Sequence, residues 1–201
     1  MELVLVRHAL PVRIDSTPDG SPADPGLSAS GHEQATRVVE ALRGEDITVL
    51  YSSPARRALE TGAPLAAALG LELVLEPGLA EFDVAHSSYV PVEELRAAGD
   101  PRWERLAAGD LYHPDVDPVA FREGVIAGVE RIAGRHPGGR AVLFTHSGTI
   151  NAYTAHVTGQ SSILWFAPAY ASISRVGARR DGRRGIVSLN ETAHVRDLLG
   201  R

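Results

Sequence analysis

The chain alternates between short apolar runs and longer segments with a helical period, which is the pattern of an α/β protein. Runs at residues 3–6, 47–51, 71–75 and 140–145 predict parallel strands covered on both faces. Amphipathic segments follow at about 28–43, 54–69, 119–136 and 149–158. Two last strands, about 171–178 and 185–190, flank a hairpin signal at Asp181-Gly182. These elements predict a three-layer α/β/α sandwich with a mostly parallel central sheet.

Two helix starts carry capping signals. Ser28 is the predicted N-cap of the first helix, and Ser53 the predicted N-cap of the second, with Pro54 in its first turn. Arg56 and Arg57 then lie in that first turn, where the helix macrodipole disfavours positive charge. An arginine placed against the dipole more often serves an anion than stability, although a solvated helix face is the simpler interpretation of Arg56.

Residues 82–118 break the strand–helix pattern. Short amphipathic pieces at 92–98 and 103–108 alternate there with Pro and Gly. The section also contains the aromatic residues Phe82, Tyr89, Trp103 and Tyr112. We expect it to be a lid-like helical and loop insertion over the active site, so that residues 1–201 form a single domain. The loop at residues 9–26 is long enough to be functional or mobile.

Composition excludes several kinds of chemistry. The 201 residues contain no cysteine, which excludes disulfides, thiolate catalysis and cysteine-ligated metals. All 20 basic residues are arginine, so a P-loop lysine and a Schiff base are excluded as well. The net charge of −5 gives no general attraction to nucleic acid or anionic membrane. No apolar run is long enough to span a bilayer and no signal peptide is evident, so we expect a cytoplasmic protein.

Functional-looking residues follow all four predicted parallel strands. Arg7 and His8 end the first strand, and Arg57 lies one helical turn beyond the second. Glu81 follows the third strand and His146 the fourth. Because the carboxyl ends of parallel strands meet at one edge of the sheet, we expect these side chains to face a single crevice.

This set of side chains suits phosphoryl transfer. Two arginines can grip phosphate oxygens and lower the pKa of a nearby histidine, which keeps that ring neutral and nucleophilic. A second histidine, if protonated, can donate to the phosphoryl oxygens, while a carboxylic acid protonates the leaving alkoxide. The sequence offers no His-x-His pair or carboxylate cluster, so we expect neither a metal nor another cofactor.

Arg7-His8-Ala9 resembles the Arg-His-Gly signature of the histidine phosphatase superfamily, which includes the cofactor-dependent phosphoglycerate mutases. The other similar motifs occur in the family's order: Leu27-Ser28-x-x-Gly31-x-x-Gln34-Ala35, Tyr51-Ser52-Ser53-Pro54 through Arg57-Ala58-x-x-Thr61, Leu79-x-Glu81, Thr145-His146-Ser147-Gly148 and Leu189-Asn190-Glu191-Thr192-Ala193-His194. The resemblance covers nearly the whole chain.

The resemblance implies a role for each site residue. His8 would be the nucleophile that forms a phosphohistidine, and Glu81 the general acid and base. The phosphoryl group would be bound by Arg7, Arg57 and His146, with a backbone amide from Ser147. The implied activity is that of a metal-independent phosphomonoesterase whose partner is a small phosphate ester.

The chain departs from the family after Glu81, where residues 82–86 replace the usual Gly-x-Trp-Glu-Gly segment. This leaves Asp83 open as an alternative acid. The loop after His8 lacks the polar pattern of the mutases, which favours a phosphatase over a phosphoglycerate mutase-type phosphotransferase. A phospholigand-binding module without turnover is the third alternative. A homodimer also stays open, with Trp165-Phe166 as its contact surface, and His194 is interpreted as structural.

Overall fold

The computed structural model describes residues 1–108, 111, 116–162 and 164–199. It contains a six-stranded sheet in the order β3-β2-β4-β1-β5-β6. The strands are β1 Glu2–Arg7, β2 Val49–Ser52, β3 Leu73–Leu75, β4 Arg140–Thr145, β5 Ile173–Ala178 and β6 Arg184–Glu191. The first four strands pair in parallel, and β5 and β6 extend the sheet antiparallel beside β1.

Helices cover both faces of this sheet. They are α1 Ala29–Leu42, α2 Arg56–Leu69, α3 Val92–Ala98, α4 Pro101–Ala107, α5 Pro118–Arg135 and α6 Ser147–Thr158, with 3-10 turns at Pro77–Leu79 and Arg196–Leu198. Alternate residues of β1 enter opposite cores: Leu3 packs in the core with α5 and α6, and Val4 in the core with α1 and α2. The predicted three-layer α/β/α sandwich is therefore confirmed.

Most element predictions agree with the structure to within two or three residues. The predicted bounds of β4 and α3 are confirmed, and Ser28 Oγ accepts a hydrogen bond from Gly31 N at 3.1 Å as the N-cap of α1. The prediction that Ser53 caps α2 is wrong, because Ala55 occupies the N-cap position and makes no side-chain cap. Ser53 Oγ instead contacts His146 Nε2 at 2.8 Å and accepts from Ala55 N at 3.3 Å.

The turn that leads to Glu81 is held against α5 by two glycines. The 3-10 turn Pro77–Leu79 follows β3, and Gly78 packs directly on Gly128 of α5. A Cβ atom on Gly78 would lie 2.8 Å from the Gly128 Cα, closer than side-chain carbons approach a backbone. Glycine at both positions therefore permits the close contact that fixes the start of this connection.

We refer to the described residues 82–108, which contain α3 and α4, as the lid. Backbone hydrogen bonds join it to the loop after β1: Ile14 and Tyr89 exchange two, at 2.9 and 2.7 Å, and Ala23 N donates to His86 O at 2.7 Å. The two irregular segments thus brace each other. Tyr112 lies outside the described residues. Within the described part of the chain, no helix is long and apolar enough to cross a membrane.

Candidate active site

The structure brings the predicted site residues together at the carboxyl edge of the parallel strands. Arg7, His8, Arg57, Glu81 and His146 are all at least nine-tenths buried. The first four line a cavity of about 80 Å³, which Ser147 at the start of α6 also lines. The ring of His146 lies beside that of His8, with 5.0 Å between the ring centroids.

His8 is held in one tautomer by its own loop. Its Nδ1 lies 2.9 Å from the carbonyl oxygen of Ala9, which can only accept, so Nδ1 carries the proton and Nε2 the lone pair. Burial lowers the pKa of His8 well below its usual range, and the charges of Arg57 and Arg7 lower it further. The ring is therefore neutral and nucleophilic, although burial contributes more to this than the arginine charges that the sequence suggested.

Arg7 is fixed by three neighbours. Its Nη1 donates to the carbonyl oxygen of Pro168 at 2.7 Å and to the Glu93 carboxylate of the lid at 3.1 Å. Its guanidinium stacks on the ring of Tyr170, with Cζ 3.6 Å from the centroid. The buried Nε has no hydrogen-bond partner among the described residues and remains a donor for an anion.

Arg57 repeats this arrangement from the other side. Its Nη2 donates to Asp83 of the lid at 3.0 Å, and its Cζ lies 4.7 Å from the ring centroid of Tyr89. Its buried Nε also lacks a partner within the described residues. Each arginine thus stacks on a tyrosine and pairs with one lid carboxylate. Both groups could bind a phosphoryl group if the carboxylates moved aside.

His146 follows β4 and is the N-cap residue of α6. Its Nε2 lies 2.8 Å from Ser53 Oγ, while its buried Nδ1 has no partner among the described residues. Burial, together with the charge of Arg57, lowers the pKa of His146 well below its usual range. The ring is neutral in the unliganded site, so the protonated form considered from the sequence would require an incoming phosphate dianion to raise the pKa.

Glu81 sits at the N-terminus of α6. Its Oε2 accepts from Gly148 N at 2.8 Å and its Oε1 from Phe82 N at 3.1 Å. Burial raises the pKa of Glu81 to about 7, with the nearby charge of Asp83 as the next cause, so burial outweighs the two amide donors. A Cβ atom on Gly148 would overlap the carboxylate, so a larger residue at 148 would displace Glu81.

Several residues that shape the site were not predicted to do so. Thr61 Oγ1 accepts from Ala9 N at 2.9 Å and donates to Arg57 O at 2.7 Å, which ties the loop after His8 to α2. The sequence signal for this contact was the position of Thr61 four residues after Arg57, about one helical turn further along α2. Tyr89 and Tyr170, which stack on the arginines, lie in irregular segments whose sequence gave no signal of this contact.

The remaining sequence candidates lie away from the cavity. Arg56 is exposed and pairs with Glu60 at 2.6 Å, while His194 Nε2 lies 3.0 Å from the carbonyl oxygen of Ala171. Trp165 and Phe166 are half-buried, and Trp165 Nε1 donates to Thr154 Oγ1 of α6 at 3.3 Å. Among the residues that the structure describes, no group of three or more His, Asp or Glu side chains could hold a metal ion.

Comparison with known proteins gives concordant matches. Residues 3–192 match the model of the histidine phosphatase superfamily (branch 1). Phosphoserine phosphatase 1 of Hydrogenobacter thermophilus is 29% identical, covering 97% of this chain and 94% of that protein. Phosphoglycerate mutase-like protein 4 of Arabidopsis thaliana is 31% identical, covering 75% and 68%. A phosphoserine phosphatase variant from Entamoeba histolytica, solved with phosphoserine, superposes with a TM-score of 0.74 at 20% identity, covering 96% and 98%.

Proposed function

The chain belongs to the histidine phosphatase superfamily and is a phosphatase of small phosphorylated metabolites, and we propose that it hydrolyses phosphate monoesters through a phosphohistidine on His8, without a metal ion. The observation that supports this mechanism is the convergence of His8, both arginines, Glu81 and His146 on one buried edge of the sheet. We further propose that the protein works in the cytoplasm.

In the first half-reaction, Nε2 of His8 attacks phosphorus in line with the leaving oxygen. The bond from phosphorus to Nε2 forms as the ester P–O bond breaks, and protonated Glu81 gives its proton to the departing alkoxide. Arg7 and Arg57 bind the phosphoryl oxygens in place of the lid carboxylates, and the buried Nδ1 of His146, which has no partner among the described residues, acts as a further donor. The products are the alcohol and a phosphorylated His8.

In the second half-reaction, water attacks the same phosphorus atom. Glu81, now a carboxylate, takes a proton from the water as the P–N bond breaks, and His8 returns to its neutral tautomer. A pKa of about 7 suits this exchange, since a carboxyl group with that value gives and takes a proton near neutral pH. The released product is inorganic phosphate.

The mechanism is tested by trapping the phosphoenzyme from a radiolabelled aryl phosphate in the presence of EDTA. We expect turnover to continue, and label to accumulate on the protein in an acid-labile, base-stable form. His8→Ala should abolish both label and turnover, with a circular dichroism spectrum like that of the wild type. Activity of His8→Ala within about tenfold of wild type would place the nucleophile elsewhere. Chelator inhibition reversed by a divalent ion would overturn the metal-independent mechanism.

The same assay separates the two alternatives. A mutase would pass its phosphoryl group to an added acceptor alcohol or phosphoacid faster than to water. A binding module without turnover would retain the phosphate ester and release no phosphate. The intact set of His8, Arg57, Glu81 and His146 favours turnover over a binding module. The loop after His8, which lacks the polar pattern of the mutases, favours water over a second acceptor.

A further inference from the structure

Most of the cavity lining that the lid supplies is apolar, and Asp83 and Tyr89 are its polar members. The apolar residues that line the cavity come from the lid and from the segment after α6: Phe82, Val90, Val92, Leu95, Leu106 and Leu164. Leu95 is almost fully buried, and the valines and the other two leucines are half-buried. A cavity of about 80 Å³ is also far smaller than the ~300–1,000 Å³ of pockets that enclose drug-sized ligands. The group next to the ester oxygen therefore meets closely spaced carbon atoms.

The positively charged side chains that line the cavity are both needed to bind the phosphoryl group. Among the described lining residues, Arg7 and Arg57 are the only arginines, and both are needed by the phosphoryl group. What remains nearby is acidic, since Asp83 and Glu93 would be released when phosphate takes their place on the arginines. A second anionic group on the substrate would meet two carboxylates and no available cation.

The lid's other arginines are occupied. Arg96 lies over the ring of Trp103 at 5.6 Å, Arg102 pairs with Asp100 at 2.8 Å, and Arg105 Nη2 donates to the carbonyl oxygen of Leu111 at 3.5 Å. Arg13, on the loop that braces the lid, pairs with Glu94 at 3.0 Å. The sequence of residues 109–110 and 112–115, which lie outside the described part of the chain, contains two aspartates and one histidine but no arginine. None of Arg96, Arg102 and Arg105 is among the described residues that line the cavity.

We propose that the lid selects phosphate monoesters whose leaving group is uncharged and apolar next to the ester oxygen, and disfavours esters that carry a carboxylate there. This inference rests on the proposed function and adds a substrate class to it. It separates the chain from the phosphoserine phosphatases that it resembles, because phosphoserine carries a carboxylate close to its phosphate. Leu106 and Val92 are the specificity-determining positions of the apolar wall.

A matched pair of substrates tests the inference on the wild-type protein. Butyl phosphate and 3-phosphooxypropanoate are both primary alkyl esters of similar length, and the carboxylate of the second lies two carbons from the ester oxygen, as in phosphoserine. Phosphate release gives kcat/KM for each. We expect butyl phosphate to be preferred by at least ~10-fold, because juxtaposed like charges are strongly unfavourable. Equal values or the reverse preference would overturn this inference alone. Turnover of neither ester, nor of an aryl phosphate, would overturn the proposed function and this inference with it.

A charge added to the wall provides the second test. Leu106→Arg places a cation in the lining of the cavity, and we expect it to shift the ratio of kcat/KM by ~10-fold towards the carboxylated ester. Ala98→Arg adds the same charge at an exposed lid position away from the cavity and should leave the ratio unchanged. Val92→Arg makes the same test should Leu106→Arg fail to fold. An unchanged ratio in a folded wall variant would contradict the inference.

Discussion

At the sheet edge, Arg57 and His146 are 1% and 0% exposed, whereas the side chains of Glu93 and Glu94 on the lid helix α3 are about half exposed. His146 directly follows the buried strand β4, and Arg57 lies in the first turn of α2. Glu93 and Glu94 are held by ion pairs in contact with water, which are individually weak. We therefore expect the edge to keep its geometry and α3 to exchange these contacts when a substrate enters.

Two carboxylates that are only two residues apart in sequence, Glu81 and Asp83, show the same contrast. Glu81 is buried on the backbone amides of Gly148 and Phe82, while Asp83 is paired with Arg57 at the border of the lid. Burial prepares Glu81 to hold a proton near pH 7, whereas Asp83 serves as the ion-pair partner of Arg57. We therefore assign the acid to the edge and the displaceable counter-ion to the lid.

The largest expected effect comes from exchanging these two carboxyl groups for amides. Glu81→Gln removes the proton that a poor leaving group needs, so alkyl phosphate turnover should fall by ~10²-fold or more. An aryl phosphate leaves without much help and should lose less. Asp83→Asn is the matched control and should change either rate little. Steady-state kinetics on both substrates decide the assignment, and the reverse pattern would make Asp83 the acid.

The pH dependence should reveal the same group with a smaller effect. Glu81 must be protonated to act as an acid, so kcat/KM for an alkyl phosphate should fall as pH rises through about 7, by about tenfold per unit well above that value. His8 must be neutral, and its lowered pKa keeps it so through mildly acidic pH. Glu81→Gln should lose the limb near pH 7, and a limb that survives in this variant would belong to another group.

The smallest effect is expected from removing the ion pair between Glu93 of the lid and Arg7. Glu93→Gln removes a half-exposed partner of Arg7, and such a pair contributes only ~0–1 kcal/mol to the free energy of unfolding. Denaturant unfolding should therefore change little, while KM for an aryl phosphate falls by a few-fold, because Arg7 is freed for phosphate. Glu94→Gln, which removes the partner of Arg13 instead, should leave KM unchanged. A large loss of stability in Glu93→Gln would show that the lid is part of the rigid core.

The sequence predicted the residues at the sheet edge better than the residues that hold them in place. The apolar runs located β1 and β4, and polar residues directly after them identified Arg7, His8 and His146. Strand ends are readable because the period of the chain changes there. The stacking of Tyr170 on Arg7 was not readable, since that contact joins residues more than 160 positions apart in sequence, through an irregular segment. The use of Ser53 to hold His146 was missed because its sequence context equally favours a helix cap.

The place of β1 in the sheet has a consequence for synthesis on the ribosome. β1 is made first, yet its two partners, β4 and β5, end at Thr145 and Ala178. The apolar residues 3–6 therefore have no strand on either side until most of the chain has been made. Pairing over such sequence separations is typical of slow folding, and the waiting strand is a segment for chaperones to protect. The strand that ends next to His8, the proposed nucleophile, is thus made well before either of its partner strands.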